Sequence, residues 1–227
     1  MKNLDILPIL GFLGVFLLIL LLSELTYKWI SKDSELTRKI SHTITGFVSL
    51  SFPMFFDGYL GVLILGVFSF LLLFISKKAR VFDSIHRLER ESFGAALLPI
   101  AIFLCYVASE YFDNLSYFYI PVLILTVSDP AAGLLGGRIK SKHWKNLGTI
   151  AATKTVLGSL SFFISSLAIL ILVIPKFYEF NILPLIIASV LIAAISSFIE
   201  LISGKGTDNL TVPLSVIIML LAMNVWI

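Results

Sequence analysis

The sequence predicts an all-α polytopic membrane protein of about eight transmembrane helices, with seven as the alternative. Hydrophobic residues make up 58% of the 227 and charged residues only 14%, and the apolar ones fall in long unbroken runs rather than amphipathic stripes. The alternation expected of an outer-membrane barrel is missing, and an open strand would leave its backbone unpaired in lipid, so helices are the reading left.

Crossing ~30 Å of hydrocarbon takes ~20 helical residues. Runs of roughly that length fall at about 6–23, 40–56, 59–76, 93–112, 117–136, 156–174, 182–203 and 211–227. The first has no small-residue cleavage site and continues into bulky SELTYKWI, so it reads as a retained span rather than a signal peptide. The second contains His42, several Ser and Thr residues and Pro53, and only Asp57 and Gly58 separate it from the third. Omitting it gives the seven-span alternative. The fourth carries Cys105, the single cysteine, which excludes an intrachain disulfide and reads as packing.

The basic residues decide between the two counts. Alternating eight spans puts fifteen of the 17 Lys and Arg residues on one side, leaving Lys2 and Lys176 on the other. By the positive-inside rule that side is cytoplasmic and both termini face away from it. Loops at about 24–39, 77–92, 137–155 and 203–210 then share one compartment and form a nucleotide and metal site within a single transmembrane domain.

Chemistry concentrates in SDPAAGLLGGRIKSKHWKNLGTIAATKTVLGS. Asp129 follows the apolar run PVLILTV, where an acid needs a cation, a metal or a water-filled cavity. Pro130 is expected to end or kink the fifth helix, and Gly133, Gly136 and Gly137 to let backbone amides approach a ligand without Cβ obstruction. Arg138, Lys140, Lys142 and Lys145 follow. Lys154 and Thr155 then open a further helix, with Gly158 one turn on, so a helix N-terminus and a cation point to the same place. Such a site suits a polyphosphate, with Asp129 holding Mg²⁺ or another divalent cation between phosphate oxygens. The spacing matches neither the P-loop nor the dinucleotide fingerprint, and nothing indicates a nucleic-acid polymer as partner. Glu200, Asp208 and Asn209 flank Gly204-Lys205-Gly206, and on the functional reading they face the glycine-rich stretch to complete a metal and phosphate cage. His42 shares a helix face with Arg38, and the neighbouring cations favour a phosphate-contacting role. His86 and His143 are assigned none.

These residues resemble the CTP-dependent polyprenol kinase family of dolichol, phytol and farnesol kinases and a CTP-dependent diacylglycerol kinase. SDPAAGLLGGR with the following KT and GS is similar to the family's nucleotide-binding region. ELTRKISHTITG, with Arg38, Lys39, His42 and Gly46, looks like its Arg-Lys-x-x-His-x-x-x-Gly element. RESFGAALLP, with Glu91, is similar to its Glu and Gly element, and ELISGKGTDNLTVP resembles its Glu…Asp-Asn…Pro signature. The likeness covers about 35–213. One departure is Leu157, where such sequences often have Glu before the glycine that follows KT.

The resemblance implies transfer of the γ-phosphate of CTP to an isoprenoid alcohol embedded in the membrane, with Mg²⁺ present. The inventory agrees with phosphoryl transfer, since it offers cations and carboxylates but no convincing nucleophile. Any of Asp129, Glu200 or Asp208 can accept the hydroxyl proton. A phosphatidate cytidylyltransferase has a related Asp…Gly-Arg…Lys-Thr pattern and also uses CTP, but its His-Gly-Gly and Asp-Arg signature is absent here. A transporter is a further alternative, weakened by the absence of an internal repeat. The oligomeric state is open.

Overall fold

A computed structural model describes residues 6–79, 81–86, 92–144, 153–179 and 181–224. The described chain is helical, and six of its helical stretches are long and apolar enough to cross a membrane. The fold is therefore the expected all-α polytopic one.

Helix α1, Ile6–Trp29, extends six residues beyond the predicted 6–23 because SELTYK contains no breaker. The first polar loop is thus far shorter than 24–39. Helix α2, Ser34–Ser49, begins where Asp33 caps it, Oδ1 accepting from the Leu36 amide at 3.0 Å. Only Leu50 and Ser51 separate it from α3, Phe52–Phe55, which has Pro53 in its first turn. The predicted second span is therefore a divided passage rather than one apolar helix. It still carries the chain from one end of the bundle to the other, since the Tyr106 hydroxyl donates to the Phe56 carbonyl at 2.6 Å near the C-terminus of α6, Gly94–Tyr111.

Helix α4, Tyr59–Lys78, returns, and the short α5, Asp83–His86, is tied to α1 by the Ser84 amide donating to Glu24 Oε2 at 3.0 Å. The next passage is continuous over Ser116–Arg138, as α7 (Ser116–Leu123), a π-helical turn at Ile124–Ser128 and α8 (Asp129–Arg138). Of the expected end or kink at Pro130, the end is excluded, since the helix runs on to Arg138 with the π turn immediately before this segment. Pro130 lies in the first turn of α8, where its missing N–H is tolerated next to the widened turn. Helix α9 (Val156–Val173, continued by a 3₁₀ turn at Ile174–Lys176), α10 (Ile182–Ile202) and α11 (Asp208–Asn224) complete the bundle. At 17 residues α11 is shorter than the six long spans.

The core centres on α7 and the π turn, where Phe118, Ile120, Ile124 and Leu125 meet Phe162 of α9 and Val216 of α11. Outward faces of α1, α4, α9 and α10 expose Leu18, Phe68, Leu172 and Leu183, as lipid contact requires. The C-termini of α1, α4, α8 and α10 and the N-termini of α2, α6, α9 and α11 gather at one end of this up-and-down arrangement.

The α10–α11 turn closes that end. Lys205 and Gly206 have φ of 54° and 83°, and the Lys205 carbonyl accepts from the Phe93 amide at 2.8 Å. A Cβ on Gly206 would lie 2.3 Å from the Gly94 nitrogen. Gly206→Ala is expected to lower stability by about 1–3 kcal/mol through backbone strain and displacement of α6, measured as a reduced Tm of the detergent-solubilised protein. An unchanged Tm would contradict this close fit.

Candidate active site

Helix ends that meet at one level leave a cleft of about 840 Å³, and its walls include residues from α2, α8, α9 and the α10–α11 turn. Asp129, at the first position of α8, lies on its floor and is 5% exposed. Lys39 reaches it from α2, with Nζ 2.6 Å from Asp129 Oδ2 and 3.3 Å from its carbonyl oxygen. Both side chains are buried, so the cation and acid satisfy one another where either alone would be costly. Gly133 makes this reach possible, because a Cβ there would lie 2.7 Å from Lys39 Cε.

A second charge cluster lies across the cleft. Lys154, just before α9, donates to Glu200 of α10 and to Asp208 Oδ2 of α11, the latter at 3.2 Å. Burial disfavours the Lys154 charge, but Asp208 and then Glu200 outweigh it, with Asp129 adding a weaker pull, and the lysine is held above its ordinary pKa. Glu200 Oε2 is buried with no hydrogen-bond partner. The Asn209 amide donates to the Gly94 carbonyl at 2.7 Å and fixes the start of α6 against the turn.

Thr155 caps α9, its Oγ1 accepting from the Gly158 amide at 3.1 Å, so the helix N-terminus opens onto the cleft as expected. The glycines behave differently from expectation. They form no loop, since α8 runs through them. A Cβ on Gly136 would lie 3.1 Å from Gly158 Cα, and one on Gly158 3.1 Å from the Ala132 carbonyl, so this pair lets α8 and α9 approach closely. Gly137 alone faces open space, with nothing within 4 Å of an added Cβ.

Thus Asp129, Glu200, Asp208, Asn209, Arg38, Lys39, Gly133, Gly136, Gly137, Lys154, Thr155 and Gly158 all line one cleft. His42 does not. Its Nε2 is 3.0 Å from the Leu125 carbonyl, and its ring lines a separate apolar cavity between α1, α2, α4 and α6. Arg138 is at the surface, 3.6 Å from Asp33 Oδ2, and Lys140 is exposed outside the cleft. Glu91 lies outside the described residues. Lys32, Asp33, Glu35, Lys205 and His143, which the sequence places in the site-forming loops without individual roles, also line the cleft. Only Asp33 carried a signal, as an acid at a helix start.

Among the described residues no group of three or more His, Cys, Asp or Glu side chains could hold a metal ion. Mg²⁺ needs fewer, since it keeps several waters and binds through one or two carboxylates and substrate phosphates. The unpartnered buried Glu200 Oε2 beside Asp208 fits that need.

No family model and no solved structure matches the chain. Over 198 residues it is 28% identical to phytol kinase of Synechocystis sp., a match that covers 86% of this chain and 82% of that protein.

Proposed function

We propose that the protein is a membrane-embedded lipid-alcohol kinase that transfers the γ-phosphate of CTP to an isoprenoid alcohol. The observation that carries this reading is the single cleft in which Lys39–Asp129 and Lys154–Glu200–Asp208 converge beside the α9 N-terminus. The similarity to a phytol kinase supports the same chemistry. The excess of Lys and Arg at this end of the bundle supports a cytoplasmic position for it, where nucleotide is available.

The residues divide the work of an in-line transfer. Lys154 and the α9 N-terminus neutralise and align phosphate oxygens, and they are worth most in a site partly shielded from water. The alcohol oxygen forms its bond to the γ-phosphorus as the bond to the β-phosphate oxygen breaks, leaving the nucleoside diphosphate. The hydroxyl proton passes to a carboxylate of the cleft. Glu200 and Asp208 would hold Mg²⁺, which when bound offsets charge on the phosphates.

Offering farnesol, geranylgeraniol, phytol, a long polyprenol and diacylglycerol in parallel, with CTP or ATP as donor, tests this reading. Isoprenyl monophosphates formed at a higher kcat/KM with CTP than with ATP are expected. Phosphorylation confined to diacylglycerol would overturn the substrate class, and a better kcat/KM with ATP would overturn the donor.

A further inference from the structure

Arg38 belongs to two spaces at once. It lines the polar cleft and also the apolar cavity of about 90 Å³ between α1, α2, α4 and α6. The residue is only 8% exposed. One Nη2–H donates to Glu35 Oε1 at 2.7 Å, but the buried Nε has no partner. A guanidinium donor is strongly hydrated in water, so leaving it buried and unpaired is costly unless something else accepts from it.

The cavity beyond Arg38 is walled by Phe16 of α1, Val62 and Leu65 of α4, and Leu98 and Ile102 of α6. Its α2 side looks polar in sequence, with Ser41, His42 and Ser49, yet these groups turn to the protein. Ser41 Oγ donates to the Thr37 carbonyl at 3.0 Å, Ser49 Oγ to the Thr45 carbonyl at 2.8 Å, and His42 Nε2 lies on the Leu125 carbonyl. Among the described residues, Arg38 Nε is the one buried unpartnered polar atom in this lining. Two of the walls, α1 and α4, expose Leu17 and Leu71 on their outer faces, so the cavity is one helix thickness from the bilayer.

We infer that this cavity takes the hydroxyl-bearing end of the acceptor alcohol, about one isoprene unit for a space smaller than the ~150 Å³ that holds a benzene, and that Arg38 Nε–H donates to its oxygen, which presents the hydroxyl to the phosphates in the adjoining cleft. The kind of lipid rests on the kinase reading above; the place it occupies rests on the cavity and Arg38. A space this small with one unpaired donor suits one alcohol oxygen and the few carbons next to it. Arg38 is then an acceptor-positioning residue, and Lys154 serves the nucleotide.

The test uses the purified protein in nanodiscs and a geranylgeraniol analogue with a diazirine on the isoprene unit next to its hydroxyl, photolysed with and without excess geranylgeraniol. Competable labelling of α4 and α6 around Leu65 and Leu98 is expected, whether or not nucleotide is present. Labelling elsewhere, or labelling that competitor does not reduce, overturns the inference. Kinetics supply a second readout: Leu98→Trp, which fills the cavity, and Arg38→Gln should each raise the alcohol KM about tenfold while the CTP KM stays within twofold. A raised CTP KM with an unchanged alcohol KM overturns the assignment of Arg38. Competable cavity labelling in a protein that transfers no phosphate would leave the lipid site standing and remove the kinase reading. Turnover with labelling elsewhere would do the reverse.

Discussion

Replacing Asp129, one of the cleft carboxylates available to take the hydroxyl proton, by asparagine is expected to lower turnover about a thousandfold while the protein still inserts in the membrane. The exchange keeps the side-chain volume and removes the charge that Lys39 meets at 2.6 Å. A buried ammonium is then left without its counterion at the cleft floor, a loss of roughly 3–5 kcal/mol for a buried pair. Part of any activity loss could follow from that stranded charge alone, so the double variant Asp129→Asn/Lys39→Met separates the two effects. It removes both charges and relieves the stranded cation, yet turnover is expected to stay at the level of the single variant. Rescue to within a tenth of wild type would assign Asp129 a structural role.

Lys154→Met carries the second large expected effect, a fall in kcat/KM of about a hundredfold to a thousandfold. The methionine keeps most of the apolar stem but leaves Glu200 and Asp208 facing each other without the cation between them. It also removes the positive charge beside the α9 N-terminus, where phosphate oxygens would gather. Lys154→Arg is expected to recover only part of the loss, because a planar fork does not replace a compact ammonium held between two carboxylates. Initial rates over a range of nucleotide concentrations check both variants. A kcat/KM for Lys154→Met within tenfold of wild type would show that this lysine only holds helices together.

Much of the fold was legible because lipid imposes simple requirements. The runs of Leu, Ile and Phe marked α4, α9 and α10 within a few residues, since helices must satisfy their own backbone in hydrocarbon. The Lys154–Thr155 helix start was equally local, because a cap depends on adjacent residues. What the sequence could not show is pairing across the fold. Lys39 and Asp129 are 90 residues apart, and nothing near either residue identifies the other. Glu200 and Asp208 were readable as a pair around one turn, but their shared cation lies 46 residues before Glu200.

The glycines were misread for a related reason. Gly136 and Gly158 are small because two helices touch there, and a glycine cluster in sequence does not distinguish a loop against a ligand from a close helix crossing. The local rule at Pro130 allows an end or a kink, and the π turn at Ile124–Ser128 lets the helix continue. His42 shares a face with Arg38, yet it turns to the Leu125 carbonyl, which the π turn places opposite α2.

Transfer of a terminal phosphate onto a lipid hydroxyl is visible in where a radiolabel ends up. The purified protein in nanodiscs is supplied with geranylgeraniol or phytol, Mg²⁺ and CTP labelled at either the α- or the γ-phosphorus, and the lipid fraction is counted and weighed by mass spectrometry. γ-Label in an isoprenyl monophosphate and no α-label in lipid are expected. Lipid that carries α-label, or no labelled lipid from either nucleotide, would rule this transfer out.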